Sequence, residues 1–127
     1  MEKYTRNFEK LNKARSQFEK IMEEIETDII RDAAIQRFEF TYELLWKTLK
    51  AFLEEYHGIR VHSPRQAFKE AYSLELIDDE ELFLDMLESR NLLAHTYSES
   101  ESMAIYQRFP LYLPVISAAI SQLDSIT

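Results

Sequence analysis

A chain with one glycine, Gly58, and three prolines has almost no means of making the tight turns that join strands. Such turns need residues that tolerate positive φ or bring a fixed φ of their own. Over 127 residues that scarcity implies long helices joined by few links. The length suits one domain, residues 1–127, with a core of its own. Hydrophobic residues make up 46% of it, too many for a disordered segment. The expected fold is all-α: an antiparallel up-and-down bundle of four long helices plus one short helix.

Apolar spacing places the helices. In the first, from about residue 3 to 26, Tyr4, Phe8, Leu11, Phe18, Ile21 and Ile25 recur at helical intervals. Its first half is basic, with Lys3, Arg6, Lys10, Lys13 and Arg15 on a face expected to be solvated. The second, from about 28 to 57, carries the seam Ile30, Ala34, Phe38, Tyr42, Leu45, Leu49, Phe52, Tyr56, widened by Ile35, Trp46 and Leu53. Gly58 follows where a helix end wants a left-handed residue. Ser63-Pro64-Arg65-Gln66 reads as a capping box with proline at the first helical position. It opens a short third helix to about Leu74 that buries Ala67, Phe68, Ala71 and Tyr72. Asp78-Asp79-Glu80-Glu81 starts a fourth, expected to end between His95 and Ser98. Ser98-Glu99-Ser100-Glu101 offers caps for a fifth. Pro110 and Pro114 should kink or break that one, since each lacks an N–H and crowds the preceding turn, before a final helix through Leu111, Leu113, Val115, Ile116, Ile120 and Leu123.

The fourth helix holds the most chemically loaded segment, Arg90-Asn91-Leu92-Leu93-Ala94-His95-Thr96-Tyr97. Arg90 falls on the apolar line Phe83, Leu87, Arg90, Ala94, Tyr97. A charge in such a stripe requires a partner, an anion or a second subunit. Residues five apart on a helix differ by about 140° in azimuth, so Arg90 and His95 do not share a face. They converge only if the helix ends or bulges near His95, or if a second copy completes the site. Asn91 and His95, four apart, do share one.

These residue types suit phosphodiester chemistry. Histidine takes or gives a proton near neutral pH. Arginine holds a phosphate in a bidentate fork and stabilises transition-state charge. Asn91 could orient the imidazole or bind a phosphate oxygen. Tyr97 offers a hydroxyl for modification or a ring for a base. No metal or other cofactor is required, and without cysteine disulfides and thiolate metal sites are excluded. The plainer reading is a polar helix end, with Arg90 paired to Glu88 or Asp85, His95 favoured by the helix dipole and Tyr97 as packing.

Arg90-Asn91-x3-His95-x-Tyr97, following Ala34-Ile35-Gln36-Arg37-Phe38-Glu39-Phe40-Thr41-Tyr42-Glu43 on the second helix, resembles the nucleotidyltransferase substrate-binding protein family of the HEPN superfamily. The likeness runs from about residue 4 to 125 and includes helix order. It implies a homodimer of helical bundles that binds a cognate minimal nucleotidyltransferase. In HepT-like members the pair is a toxin–antitoxin system. The helical protein is then a metal-independent ribonuclease using the motif arginine and histidine, here Arg90 and His95. The nucleotidyltransferase silences it by attaching AMP to the motif tyrosine, here Tyr97. An alternative reading of the family makes the helical protein a non-catalytic substrate-binding subunit. The chain keeps every motif position, but its net charge of −8 is unusual for a protein that grips RNA.

Other residues complete the expectations. Glu39 could cross the bundle to orient Arg90, while Glu43 and Lys47 make an ordinary i,i+4 pair. Arg60, Arg65 and Lys69 could add local positive potential, though a solvated helix end explains them too. Glu23, Glu24 and Glu26 read as a solvated face, and Trp46 as core or dimer contact. His57 and His62 have no third ligand nearby and make a poor zinc site. No apolar run approaches the roughly 20 residues of a membrane helix. The N-terminus, Met1-Glu2-Lys3-Tyr4, lacks the apolar core of a signal peptide. A cytoplasmic protein with no membrane partner is expected.

Overall fold

Thr27 and Gly58 bracket the element around which the rest is built. Thr27 is extended, and its hydroxyl accepts from the Ile30 N–H at 3.1 Å, which starts α2 at Asp28. Gly58 ends α2 in the left-handed region at φ 66°. Its N–H donates to the Glu54 carbonyl at 3.1 Å, the pairing a left-handed helix cap provides. In the computed structural model, which describes residues 2–127, six helices and no strand are found among the described residues. They are α1 Glu2–Met22, α2 Asp28–His57, α3 Pro64–Ser73, α4 Glu80–Leu93, α5 Glu99–Tyr106 and α6 Phe109–Ile126.

The 30-residue α2 packs most extensively on α1 and also touches α3, α4 and α5, while α6 closes against α1 and α4. The predicted seam is the buried one, from Ala34 through Phe38, Tyr42, Leu45 and Leu49 to Phe52. Aromatic rings tie the layers together. Phe38 stacks on Phe109 with centroids 4.9 Å apart and on Tyr112 at 5.6 Å. Phe18 of α1 meets Phe109 edge-on at 5.1 Å, and Phe68 of α3 meets Phe83 of α4 at 5.3 Å. These arrangements suit the ring quadrupole as well as apolar burial.

Several boundaries differ from the periodicity. The first helix stops at Met22, not near residue 26. Once Thr27 caps α2, residues 23–26 become the link, and Ile25 is left 86% exposed. Glu26 is no idle surface charge, because it accepts from the buried Arg31 at 2.9 Å. Tyr72 and Tyr56 lie outside the core. Gln66 accepts from the His62 N–H at 2.7 Å, one residue before the N-cap, so the box at Ser63 is a variant.

The expected four long helices and one short one are in fact six, with α3 of 10 and α5 of 8 residues. The break falls at Gln107–Arg108, ahead of both prolines. The Pro110 ring would clash with the carbonyl four residues back, at Tyr106, which is where α5 ends. Pro110 then serves in the first turn of α6, where a missing N–H costs little. Pro114 sits inside α6 at an exposed position. Apolar as it is, α6 is a core helix that buries Phe109, Tyr112, Ile116, Ala119, Ile120 and Leu123.

A polar network fixes α4 against the start of α6. Asp85 accepts from the Tyr112 hydroxyl at 2.6 Å and from Arg108 at 3.0 Å. Ser89, fully buried, lies 2.7 Å from the same phenol oxygen. Since that phenol donates to Asp85, Ser89 is the donor to it.

Candidate functional site

Arg90 sits where the buried face of α4 runs out toward solvent. Phe83 and Leu87 before it are buried, while Ala94 and Tyr97 after it are exposed. Its side chain, 36% exposed, reaches α2 and places Nη2 3.5 Å from Glu43 Oε1. The partner is therefore neither Glu88 nor Asp85, the latter being taken by Arg108 and Tyr112. Nor does Glu39 make the ion pair. Burial raises the Glu39 carboxyl above its ordinary pKa, and Arg90 pulls it part of the way back, so the two groups feel each other without direct contact. The other Glu43 oxygen accepts from Trp46 Nε1 at 3.3 Å and lies 3.7 Å from Lys47. Glu43 thus joins the expected i,i+4 pair to the site.

Arg90 and Asn91 form one wall of an open cleft of about 500 Å³. Tyr42, Glu43 and Trp46 of α2 form a second wall, and the start of α3 supplies Ser63, Pro64 and Arg65. Leu87 also lines it. The N-terminus of α3 turns its positive end to this space. Of the three basic residues suspected near that helix start, only Arg65 lines the cleft. Arg60 pairs instead with Glu54 at 3.6 Å, and Lys69 is exposed one turn further on.

Tyr42 is the unexpected member. Its ring is 1% exposed and packs on Phe38 and Phe68. Its hydroxyl is buried without a hydrogen-bond partner. Burial pushes the phenol well above its usual pKa, Glu43 adds to the rise, and Arg90 and Arg65 oppose it. Buried hydroxyls are nearly always paired; this one finds no acceptor among the described residues.

His95 and Tyr97 do not line the cleft. The helix ends at Leu93, earlier than expected, with the Ala94 N–H shared between the carbonyls of Arg90 and Asn91 at 3.1 and 3.3 Å. The next helix begins at once. Ser98 and Glu101 exchange capping bonds at 3.1 and 2.8 Å. His95, Thr96 and Tyr97 are therefore held on a short exposed link between two helix ends, Tyr97 at 37% exposure. The helix end near His95, one of the two routes to convergence on Arg90, is present. Within one chain, however, Arg90 and Asn91 belong to the cleft and His95 and Tyr97 to the link beside it.

Spacing alone did not place Tyr42, Glu43 and Trp46 in the cleft, and it did not separate Arg65 from Arg60 and Lys69. The available signal was weak: Tyr42 and Trp46 are four apart on one face of α2, and Arg65 sits at a proline-started helix.

Residues 6–125 match the family described as nucleotidyltransferase substrate binding protein like. A Haemophilus influenzae protein named "Probable ribonuclease HepT" is 31% identical over 100 residues, covering 76% of this chain and 68% of that protein. Among solved structures, a Thermus thermophilus protein superposes with a TM-score of 0.83 at 35% identity, covering 89% of this chain and 98% of the other. A second, from Haemophilus influenzae, superposes with a TM-score of 0.82 at 26% identity, covering 92% and 98%. It is described as revealing the fold of a substrate binding domain of a nucleotidyltransferase.

Proposed function

This chain belongs to the nucleotidyltransferase substrate binding protein-like family, and from that premise we propose that it is the HepT-like ribonuclease partner of a minimal nucleotidyltransferase. On this reading it acts in the cytoplasm as a homodimer and as the toxin of a toxin–antitoxin pair. The observation that carries the reading is Arg90, half-exposed at the wall of an open cleft and only loosely engaged by Glu43 at 3.5 Å. Such a guanidinium keeps donors for a phosphate.

The chemistry is transesterification of RNA. Neutral His95 accepts the 2′-hydroxyl proton, the 2′-oxygen bonds to phosphorus, and the bond from phosphorus to the 5′-oxygen breaks. The leaving oxygen takes a proton from a histidine in its imidazolium form, giving a 2′,3′-cyclic phosphate and a 5′-hydroxyl. Arg90 stabilises the charge on the phosphorane oxygens, and Asn91 supports the bound phosphate. His95 stands outside its own chain's cleft, so a second copy is the natural means of bringing histidine and arginine together. Leu92 and Met103, exposed at 49% and 38% on either side of the link, give that copy apolar surface to cover. Tyr97 is the switch: its phenol oxygen attacks the α-phosphorus of ATP, pyrophosphate leaves, and the new phosphate blocks the site by charge and bulk.

Purified unmodified protein and its His95→Ala form, incubated with cellular RNA in a chelator, test this. Discrete cuts by the wild type alone are expected. Equal cutting by His95→Ala would remove the role given to that residue. If neither cuts while mass spectrometry finds Tyr97 unmodified, the second reading takes over: a non-catalytic subunit that binds a nucleotide for the transferase. The feature favouring that reading is the separation of His95 from the cleft that Arg90 lines.

A further inference from the structure

Arg90 reaches across to α2, yet α4 rests mainly on α3 and α6 and only lightly on α2. Direct packing of α4 on α2 is therefore a weak determinant of where Arg90 lands. Glu39 and Glu43 are separated by about 6 Å of helix rise, so a modest slip of α4 would change the partner of the guanidinium. Phe68 bridges the two helices through Tyr42 and Phe83, but ring contacts tolerate sliding because apolar attraction has no direction. Hydrogen bonds do not, since they weaken steeply with distance and angle. Tyr112 of α6 supplies both kinds of contact. Its ring stacks on Phe38 of α2 with centroids 5.6 Å apart. Its hydroxyl extends to α4, where it donates to Asp85 at 2.6 Å and receives Ser89 at 2.7 Å. We propose that Tyr112 is a positioning residue for Arg90, its ring and hydroxyl together fixing the register of α4 against α2 and so holding the guanidinium at the cleft wall. On the reading of Arg90 as a phosphate ligand, from which this follows, Tyr112 is the residue that aims it.

Three details fit that role. Ser89 immediately precedes Arg90, so the bonds grip α4 just before it ends at Leu93. Ser89 is fully buried and turns to the phenol, whereas Thr41 and Thr48 turn back to carbonyls of their own helix. Arg108 holds the other Asp85 oxygen at 3.0 Å, which leaves the carboxylate little freedom. Burial, and then the bond to Asp85, pushes the phenol pKa up to about 12, so the donor persists at neutral pH.

Trp46, the sole tryptophan, reports the position of Arg90. Its indole N–H donates to Glu43 at 3.3 Å, and the other Glu43 oxygen meets Arg90. Tyr112 does not line that cleft. The indole cross-peak in a nitrogen–proton correlation spectrum of the isotope-labelled full chain is the readout. Arg90→Ala should displace it, and Tyr112→Phe should displace it roughly half as far or further, because a small misplacement is enough to break a contact. The double variant should sit where Arg90→Ala alone sits, since Tyr112 acts through the arginine. Ile116→Val, a buried change one turn further along α6 that breaks no hydrogen bond, should leave the peak in place. Should Tyr112→Phe fail to fold, Asp85→Ala asks the same question and should move the peak the same way. On RNA, Tyr112→Phe should lower kcat about tenfold or more and change KM less than about threefold, the pattern of a misaimed transition-state contact. The Trp46 readout needs no catalysis, so an inert wild type counts against the ribonuclease reading alone. The positioning role is overturned if Tyr112→Phe leaves the peak or kcat at the wild-type value, if Ile116→Val displaces the peak equally, or if the double variant moves it beyond Arg90→Ala. It is overturned too if Arg90→Ala leaves the peak unmoved, since no contact would then exist to be positioned.

Discussion

Two tyrosine-to-phenylalanine changes, the same chemical edit, should move stability in opposite directions. The Tyr112 hydroxyl donates to Asp85 at 2.6 Å and receives the buried Ser89 at 2.7 Å. Removing it loses a hydrogen bond to a charged group, about 1.5–3 kcal/mol. Asp85 keeps Arg108, and Ser89 can turn to its own helix backbone as Thr48 does to the Leu44 carbonyl, so the lower half of that range applies. Tyr112→Phe should cost about 2 kcal/mol, or roughly 8 °C in Tm for a chain of this size. The Tyr42 hydroxyl is buried with no partner, and its removal relieves a desolvation cost of about 1 kcal/mol. Tyr42→Phe should therefore raise Tm by roughly 4 °C. Urea and thermal unfolding at one fixed protein concentration read both, since any self-association makes Tm concentration-dependent. Combining Tyr112→Phe with Ser89→Ala should cost less than the sum of the single changes, because both remove the same contact. A Tyr42→Phe protein that loses as much stability as Tyr112→Phe would mean that the hydroxyl is already satisfied within the fold.

Two further outcomes follow from the same contacts. Burial, and for Tyr112 the bond to Asp85, holds the phenols of Tyr4, Tyr42 and Tyr112 above the ordinary value of 10.0, Tyr112 at about 12. A raised folded pKa favours the protonated fold. That stabilisation is complete below pH 10 and is lost as pH climbs toward 12, so absorbance at 295 nm near pH 11 should fall short of its urea-denatured value. Arg90→Lys should fold as the wild type does, within about 0.5 kcal/mol, because the Glu43 pair is more than a third exposed on both sides. It should nevertheless fail to restore RNA binding or cutting, since an ammonium cannot fork a phosphate; full activity in that variant would remove the bidentate role.

The sequence was most informative where a local rule acts alone. Gly58, Ser63, Asp79 and Ser98 each cap or end the helix their chemistry announces, and the α2 seam is buried from Ala34 to Phe52. It was least informative where the outcome depends on what lies across a gap. Glu39 and Glu43 are one turn apart on α2, and nothing in their spacing says which reaches Arg90. The axial stagger of α2 against α4 decides it, and Glu43 is the one within 3.5 Å. Tyr42 continues the apolar seam, so its pattern hides a hydroxyl that finds no acceptor. Arg65 looks like its neighbours Arg60 and Lys69 until α3 folds back against α2 and turns it alone into the cleft. Arg90 was legible because a guanidinium in an apolar stripe contradicts its surroundings, whereas Tyr42 contradicts nothing until burial is known.

A net charge of −8 sets a quantitative test of how such a protein could hold RNA. At physiological salt the screening length is about 8 Å, so carboxylates on distant helices contribute little inside the cleft. Arg65 and Arg90 line it, and Glu43 is the acid among its lining residues. Binding that relies on these two arginines neutralises at most two phosphates per cleft. For a single strand that gives a slope of log K against log salt of about −1.4. A protein gripping RNA over a broad basic face would give a slope several times steeper. A short 2′-O-methyl oligoribonucleotide, which cannot be cleaved, titrated from low to moderate salt, distinguishes the two. Arg65→Ala should halve the slope as well as weaken binding, because one counterion fewer is released. A slope steeper than about −3 would require basic residues outside the cleft. The five cations of α1 from Lys3 to Arg15, four of them exposed, would then be the next place to look.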